Sequence, residues 1–249
     1  MLCWTDQKPL HSRDGSILTI LTAGKCTRTL CFYSLDTNKC LPPSLHSTTV
    51  CIAGADYAIA AGCTRMSTGY EIMSRTQSKL TELTGKSVLA AAGCMTDIVT
   101  LRKMLGARLT QYEQNNGKDM SCDAAAQLLS VTLYYRRFFP YYAFCMIAGL
   151  DEQGKGAVYG YDAVGSFQRD VYGAMGSGQN FIMPILDNVV AHHHRLDPKV
   201  PLTVEEAISI VKEVFIVATE RDIHTGDNVE IKVITKAGIQ TINFPLKTD

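Results

Sequence analysis

Hydrophobic positions do not settle into a sustained period until the chain passes Pro42-Pro43. Two short apolar runs then follow, Thr48–Gly54 and Tyr57–Gly62, on either side of Ala55-Asp56. Their length and the polar break between them predict two strands joined by a tight turn. A third run, Ser87–Gly93, ends in glycine and predicts another strand. In Met95–Asn115 the spacing changes: Ile98, Leu101, Leu105, Leu109 and Tyr112 recur at helical intervals, and Arg102, Lys103 and Arg108 fall mostly elsewhere. That is an amphipathic helix, with Gly117 as its stop. Ser121 is placed to cap a second helix, with Asp123 in its first turn, running to about Arg137.

Pro140 interrupts the pattern. Tyr141–Gly149 and Gly156–Tyr161 read as strands around the charged, glycine-containing loop Asp151-Glu152-Gln153-Gly154-Lys155, and Ser166–Tyr172 as a third strand of this group. The glycine-rich Gly173–Gly178 precedes a helix from about Asn180 to Ala191, and His192–Pro201 is a polar loop. Thr203-Val204-Glu205-Glu206 is a capping box, threonine with glutamate three residues on. The helix behind it buries Ala207, Val211, Val214, Phe215 and Ala218 and ends near Asp222. Asn228–Thr235 and Ile239–Phe244, joined through Lys236-Ala237-Gly238, predict a last hairpin. Runs of strands alternating with pairs of helices define an α+β layer architecture, not an alternating parallel fold.

Residues 1–46 stand apart from this pattern. They read as an N-terminal extension or pro-segment, or as an irregular arm that packs on a partner; residues 47–249 form the core domain. A 249-residue chain can bury a substantial core. The 24 basic and 24 acidic residues cancel, so nothing in the charge balance asks for nucleic acid or an anionic membrane. A neutral surface suits a subunit surrounded by other subunits. Nine cysteines, at 3, 26, 31, 40, 51, 63, 94, 122 and 145, include no CxxC pair. Several lie inside apolar runs, where a reduced thiol acts as a small core residue, so a reducing cytosolic or nuclear compartment is expected. No apolar run reaches the length of a membrane span. The stretch Ile17–Ala23 is a poor signal peptide, short and preceded by Asp6 and Asp14.

The candidate chemistry lies in Ser47–Lys79. A hydroxyl opens the first strand and a lysine follows 32 positions on, a frame for a hydroxyl nucleophile and a positive charge. Other motifs carry less. In His192-His193-His194, consecutive residues point in different directions, and no zinc-ligand spacing accompanies them. Gly173–Gly178 lacks the lysine and hydroxyl of a phosphate loop and reads as a pocket wall or tight turn. Tyr134, Tyr135, Phe138, Phe139, Tyr141 and Tyr142 surround Arg136 and Arg137. With zero net charge, that cluster fits protein–protein packing better than base stacking.

Several stretches together resemble the proteasome beta-subunit family, most of all its non-catalytic members. They are Arg136-Arg137-Phe138-Phe139-Pro140-Tyr141-Tyr142, Ala148–Glu152, Gly154–Tyr159, Val164-Gly165-Ser166, Leu186-Asp187-Asn188 and Ala218–Asp222. The resemblance spans Ser47 to Asp249. It implies a four-layer αββα sandwich of the N-terminal-nucleophile hydrolase type. In active members a threonine freed by self-cleavage after glycine supplies both hydroxyl and α-amine. Counting back from Gly62-Cys63-Thr64-Arg65 puts the nucleophile position on Ser47 and the family's aspartate on Cys63. The lysine is Lys79, the glycine-loop serine Ser177, the late aspartate Asp222, and the serine after it Thr225.

Three departures predict a vestigial site. His46 replaces the glycine of the processing junction, Ser47 replaces threonine, and Cys63 replaces the carboxylate that pairs with the lysine. A neutral thiol would leave a buried Lys79 ammonium without a partner. Cys63 could instead be a reactive thiol beside Lys79, but a neutral replacement for aspartate is the preferred reading.

The expectation is a non-catalytic subunit of the 20S core particle, with no cofactor and no metal. Its partners would be adjacent beta subunits including the chymotrypsin-like one, alpha-ring subunits and the opposite beta ring. It would work in cytoplasm and nucleus, in ubiquitin-dependent degradation, with Ser47–Lys79 as an edge hairpin. The competing expectations are an active N-terminal serine hydrolase using Ser47 after cleavage at His46, and a free-standing binding module.

Overall fold

A computed structural model describes residues 45–192 and 201–248. Its elements begin with β1 (Leu45–His46), β2 (Thr48–Ala53), β3 (Ala58–Cys63), β4 (Met66–Thr68), β5 (Glu71–Ser74), β6 (Leu80–Thr84) and β7 (Ser87–Gly93). Two helices follow, α1 (Met95–Asn116) and α2 (Cys122–Tyr134), then β8 (Ala143–Leu150), β9 (Gly156–Tyr161), β10 (Phe167–Asp170) and β11 (Tyr172–Gly176). The chain continues as α3 (Gln179–Leu186), which runs into a π-helical turn at Asp187–Ala191. It then forms α4 (Val204–Arg221), β12 (Asn228–Thr235) and β13 (Gly238–Pro245).

Two five-stranded sheets carry the architecture, in the orders β10-β9-β8-β7-β6 and β11-β2-β3-β12-β13, every pairing antiparallel. Period-2 alternation sorts their side chains into three apolar layers. Cys51, Ala58, Ala60, Val88, Ala90, Met146, Ala148 and Val158 meet between the sheets. Val50, Ile52, Ile59, Ala61, Val229 and Ile231 face Val211, Val214, Phe215 and Ala218 of α4 and Ile182 and Leu186 of α3. Leu89, Ala91, Cys145, Ile147 and Tyr159 face Leu101 and Leu105 of α1 and Ala126, Leu129 and Leu133 of α2.

The inner strands therefore read as unbroken apolar runs because both of their faces are covered. Alanines at 58, 60, 90 and 148 occupy the face between the sheets. Burial pushes the Cys122 and Cys145 thiols up to about 12, so they remain protonated at neutral pH and pack as small core residues.

The helix signals act as the pattern implies. The Ser121 hydroxyl accepts the Ala124 N–H at 3.3 Å, Gly117 closes α1 with φ 64°, and both bonds of the Thr203/Glu206 capping box form. Elsewhere tertiary pairing overrides the local reading. The β2–β3 hairpin is not an edge: it lies inside its sheet, covered by β11 on one side and β12 on the other. The polar link between Thr64 and Ser74 carries β4 and β5, which form a small sheet with β1, His46 opposite Ser67.

Strand β6 pairs with β7 despite its alternating polar residues. α2 stops at Tyr134, three residues short of the expected Arg137, because the chain tightens into turns in which Arg137 N–H bonds the Tyr134 carbonyl and Phe139 N–H that of Arg136. The predicted strand Ser166–Tyr172 is two strands in different sheets. β10 pairs with β9, whereas β11, built from most of the glycine-rich stretch, pairs with β2.

Candidate functional site

Two polar clusters meet where β2 begins. The first is built on Lys79, one residue before β6. Thr64, just beyond β3, accepts the Gln77 N–H at 3.0 Å and donates its hydroxyl to the Arg75 carbonyl at 2.7 Å. This loop closure returns Lys79 to the end of β3. Its Nζ donates to the carbonyls of Cys63 and Arg65, the latter at 2.7 Å, and to the Cys63 sulfur at 3.4 Å. The ammonium thus has acceptors after all: the backbone turn after β3 supplies the oxygens that a side-chain carboxylate would have brought. Burial holds the Lys79 pKa below the ordinary lysine value, and the adjacent Cys63 works in the opposite direction. The same sulfur accepts the Thr48 N–H at 3.4 Å.

The second cluster hangs on Asp222, at the C-terminal end of α4. One carboxylate oxygen accepts the Ser177 hydroxyl at 2.6 Å and the Thr225 hydroxyl at 2.7 Å; the other accepts the His224 N–H at 3.1 Å. Thr225 then meets the Thr48 hydroxyl at 2.7 Å, and Thr48 accepts the Gly178 N–H at 3.0 Å. Asp222, Ser177 and Thr225 are therefore gathered as the family pattern places them, but the hydroxyl they hold belongs to Thr48, the neighbour of Ser47. Gly176, with φ 103°, makes this approach possible: a Cβ there would run into the Ser47 carbonyl.

Ser47 lies between the clusters. Its carbonyl accepts the Ser177 N–H at 3.1 Å. Its side is lined with Lys79, Met66, Gln77, Ala91, Gly93, Met95 and Ile98 around a cavity of only about 10 Å³. That is the lower limit for one water molecule. A roomier cavity of about 780 Å³ lies at the other end of β2, around Gly54, Tyr57, Lys155 and Arg169.

Beside these clusters runs an ionic network that sequence reasoning missed. The Asp227 carboxylate accepts from Arg65 Nε at 2.9 Å and Nη2 at 3.3 Å, and from Arg75 Nη1 at 2.5 Å. Arg65 also donates to the carbonyls of Ile223 and Lys247. The signal available was Gly226-Asp227, a turn dipeptide after α4, whose left-handed Asp227 (φ 67°) aspartate tolerates.

Of the other motifs, His192 ends the π-helical turn, and His193 and His194 lie outside the described residues. Among the described residues no group of three or more His, Cys, Asp or Glu is placed to hold a metal ion. No described helix is long and apolar enough to cross a membrane. The aromatic cluster after α2 is largely solvent-facing, Tyr135 and Phe138 most of all, and Arg137 lies over the rings of Tyr134 and Phe138.

Fold and site together define an α+β sandwich of two antiparallel sheets between helix layers, with hydroxyls, a carboxylate and a buried lysine collected at the start of one central strand. The family model for proteasome subunits matches residues 45–234. The chain is 50% identical over 207 residues to proteasome subunit beta type-1 of Arabidopsis thaliana, covering 81% of this chain and 93% of that protein. It is 51% identical over 207 residues to proteasome subunit beta type-1 of Oryza sativa subsp. japonica, covering 81% and 94%. Against proteasome subunit beta type-1 of Danio rerio it is 46% identical over 203 residues, covering 81% and 86%. The chain belongs to the proteasome subunit family, and its likeness is to beta type-1 members.

Proposed function

We propose that this chain is a non-catalytic, structural beta subunit of the 20S core particle with an N-terminal-nucleophile hydrolase fold. It completes the beta ring and shapes the proteolytic chamber and a neighbour's substrate pocket. The observation that carries this reading is the closed cleft. At about 10 Å³ the cavity lined by Ser47 and Lys79 is at the limit for a single water molecule and leaves no room for a peptide carbonyl beside it. Two further features support it. Strand β1 runs directly into Ser47, so in the uncut chain its nitrogen is a peptide amide and not a base. The Asp222–Thr225 relay ends on Thr48, whose hydroxyl sits in a chain of hydrogen bonds and is buried.

The clusters then have a mechanical role. They fasten the start of β2, the Ser177 loop and the end of α4 to one another, so that the surfaces around them keep their shape at subunit contacts. The contacts we assign are with adjacent beta subunits including the chymotrypsin-like one, an alpha-ring subunit and the opposite beta ring, in cytoplasm and nucleus. Any enzymatic activity belongs to neighbouring chains of the complex.

One observation favours a second reading: Ser47 and Lys79 line the same cavity. An active serine nucleophile would require cleavage after His46 and an opening of the packed Met66 and Met95. Intact-mass analysis of the subunit from native particles, with peptidase assays of particles carrying Ser47→Ala, separates the two. A retained extension or cleavage elsewhere, with unchanged peptidase activities, is expected. A chain beginning at Ser47 together with loss of one activity in the variant would overturn the structural role.

A further inference from the structure

A buried amine and a buried thiol lie side by side at the base of the site, and the structural role just described uses them only as hydrogen-bond donor and acceptor. Lys79 Nζ is 3.4 Å from Cys63 Sγ, and the same sulfur accepts the Thr48 N–H, also at 3.4 Å. Two N–H groups thus converge on one sulfur, and it is as a thiolate that a cysteine sulfur acts as a nucleophile. We propose that Cys63 and Lys79 form a redox-reversible covalent cross-link, an S–N sulfenamide, when the protein meets hydrogen peroxide.

The chemistry closes on atoms already in place, apart from the oxidant. The Cys63 thiolate attacks one peroxide oxygen, the O–O bond breaks, and sulfur becomes a sulfenic acid as peroxide is reduced to water. The neutral Lys79 amine then attacks that sulfur. The S–O bond breaks, hydroxide takes up the proton lost by nitrogen, and a second water leaves. Overall one thiol, one amine and one peroxide give one S–N bond and two waters; sulfur loses two electrons and peroxide gains them. Two equivalents of an added thiol reverse it, restoring Cys63 and Lys79 and leaving a disulfide.

Three features favour this product. Burial favours the neutral amine of Lys79, the form that attacks. Among the described residues, Cys51 faces the layer between the sheets whereas Cys63 faces the α3–α4 layer, and the Lys79 amine lies 3.4 Å from the Cys63 sulfur. Finally, the Nζ already points at the sulfur, so a small closing movement makes the bond. Because Cys63 is fully buried, oxidation proceeds through local opening and is slow relative to that of an exposed thiol. The consequence is mechanical. Cys63 ends β3 in one sheet and Lys79 precedes β6 in the other, so the link staples the two sheets beside Ser47.

The test is peptide mapping of the full-length protein, treated with hydrogen peroxide, alkylated without reduction and digested with trypsin. The expected product is a pair of joined peptides. One ends at Arg65; the other spans Lys79 and is uncut after it. Together they are about 2 Da lighter than their sum, for the two hydrogens lost. Dithiothreitol before alkylation abolishes the pair, and Cys63→Ser never shows it. Recovery of Cys63 only as free thiol, sulfinic or sulfonic acid, or in a disulfide, with normal cleavage after Lys79, overturns the proposal. A joined pair heavier by an added oxygen also overturns it, because that would be a different linkage. The wild-type digest decides the matter alone, so a variant that fails to fold does not obscure the result.

Discussion

Replacing Asp227 by alanine tests how this subunit holds its site together. The Asp227 side chain is 1% exposed and the Arg65 side chain 3%, and they share two hydrogen bonds at 2.9 and 3.3 Å. Asp227→Ala removes the carboxylate and with it two hydrogen bonds of the buried Arg65 guanidinium, which keeps those to the carbonyls of Ile223 and Lys247. Removing one partner of a buried pair costs about 3–5 kcal/mol, because the remaining charge loses its compensation from that partner. Arg75, whose side chain is 48% exposed, adds little to this figure.

Alanine also tolerates the left-handed backbone at φ 67° less well than aspartate, which adds about 1 kcal/mol. The sum is a large share of the roughly 5–15 kcal/mol that stabilises a typical domain. Urea unfolding of the full-length chain measures the loss. Asp227→Asn, which keeps the backbone tolerance, isolates the charge. The double change Arg65→Met with Asp227→Leu removes both charges at once, and is expected to recover much of the stability lost in Asp227→Ala. A loss below about 1 kcal/mol in Asp227→Ala, or a double variant no better than the single one, would refute the view that this buried pair holds the turn after α4 in place.

Other outcomes follow from single contacts. Thr203→Ala breaks the capping box of α4 and is expected to cost about 1 kcal/mol, read as a Tm lower by roughly 2–4 °C and faster amide exchange in the first turn. Gly176→Ala forces a Cβ toward the Ser47 carbonyl at a left-handed φ of 103°; soluble yield is expected to collapse, and a normal Tm would contradict the packing described. Lys79 has a folded-state pKa below its unfolded value, so between those two values the unfolded chain binds the extra proton. Stability should therefore rise with pH through that window, as the cost of the buried ammonium is relieved. Lys79→Met should abolish the rise, as measured by denaturant midpoints across an alkaline pH series.

Several site features were legible because they are local. The Thr203 cap, the Gly117 stop and the runs Ser87–Gly93 and Gly156–Tyr161 depend on residues a few positions apart, and they form as the pattern implies. The family resemblance named Ser177, Asp222 and Thr225, and the fold brings these three side chains to one place. What the resemblance missed was orientation. Neighbouring residues of a strand point to opposite faces, so the relay from Asp222 reaches Thr48 and Ser47 faces Lys79. β4, β5 and β6 escaped detection because such short strands carry little apolar pattern and exist through their backbone partners.

The amino-acid order by itself determined the α+β layering, the family likeness and the residue types available to the site. Each follows from spacing along a few turns or from motifs read directly. Tertiary structure alone decided that the β2–β3 hairpin is central, that Lys79 is satisfied by the Cys63 and Arg65 carbonyls, and that Met66 and Met95 close the space beside Ser47. Those outcomes rest on contacts between distant segments and on backbone oxygens. Every residue carries the same backbone acceptor, so no pattern of side chains reveals which lysine it will hold.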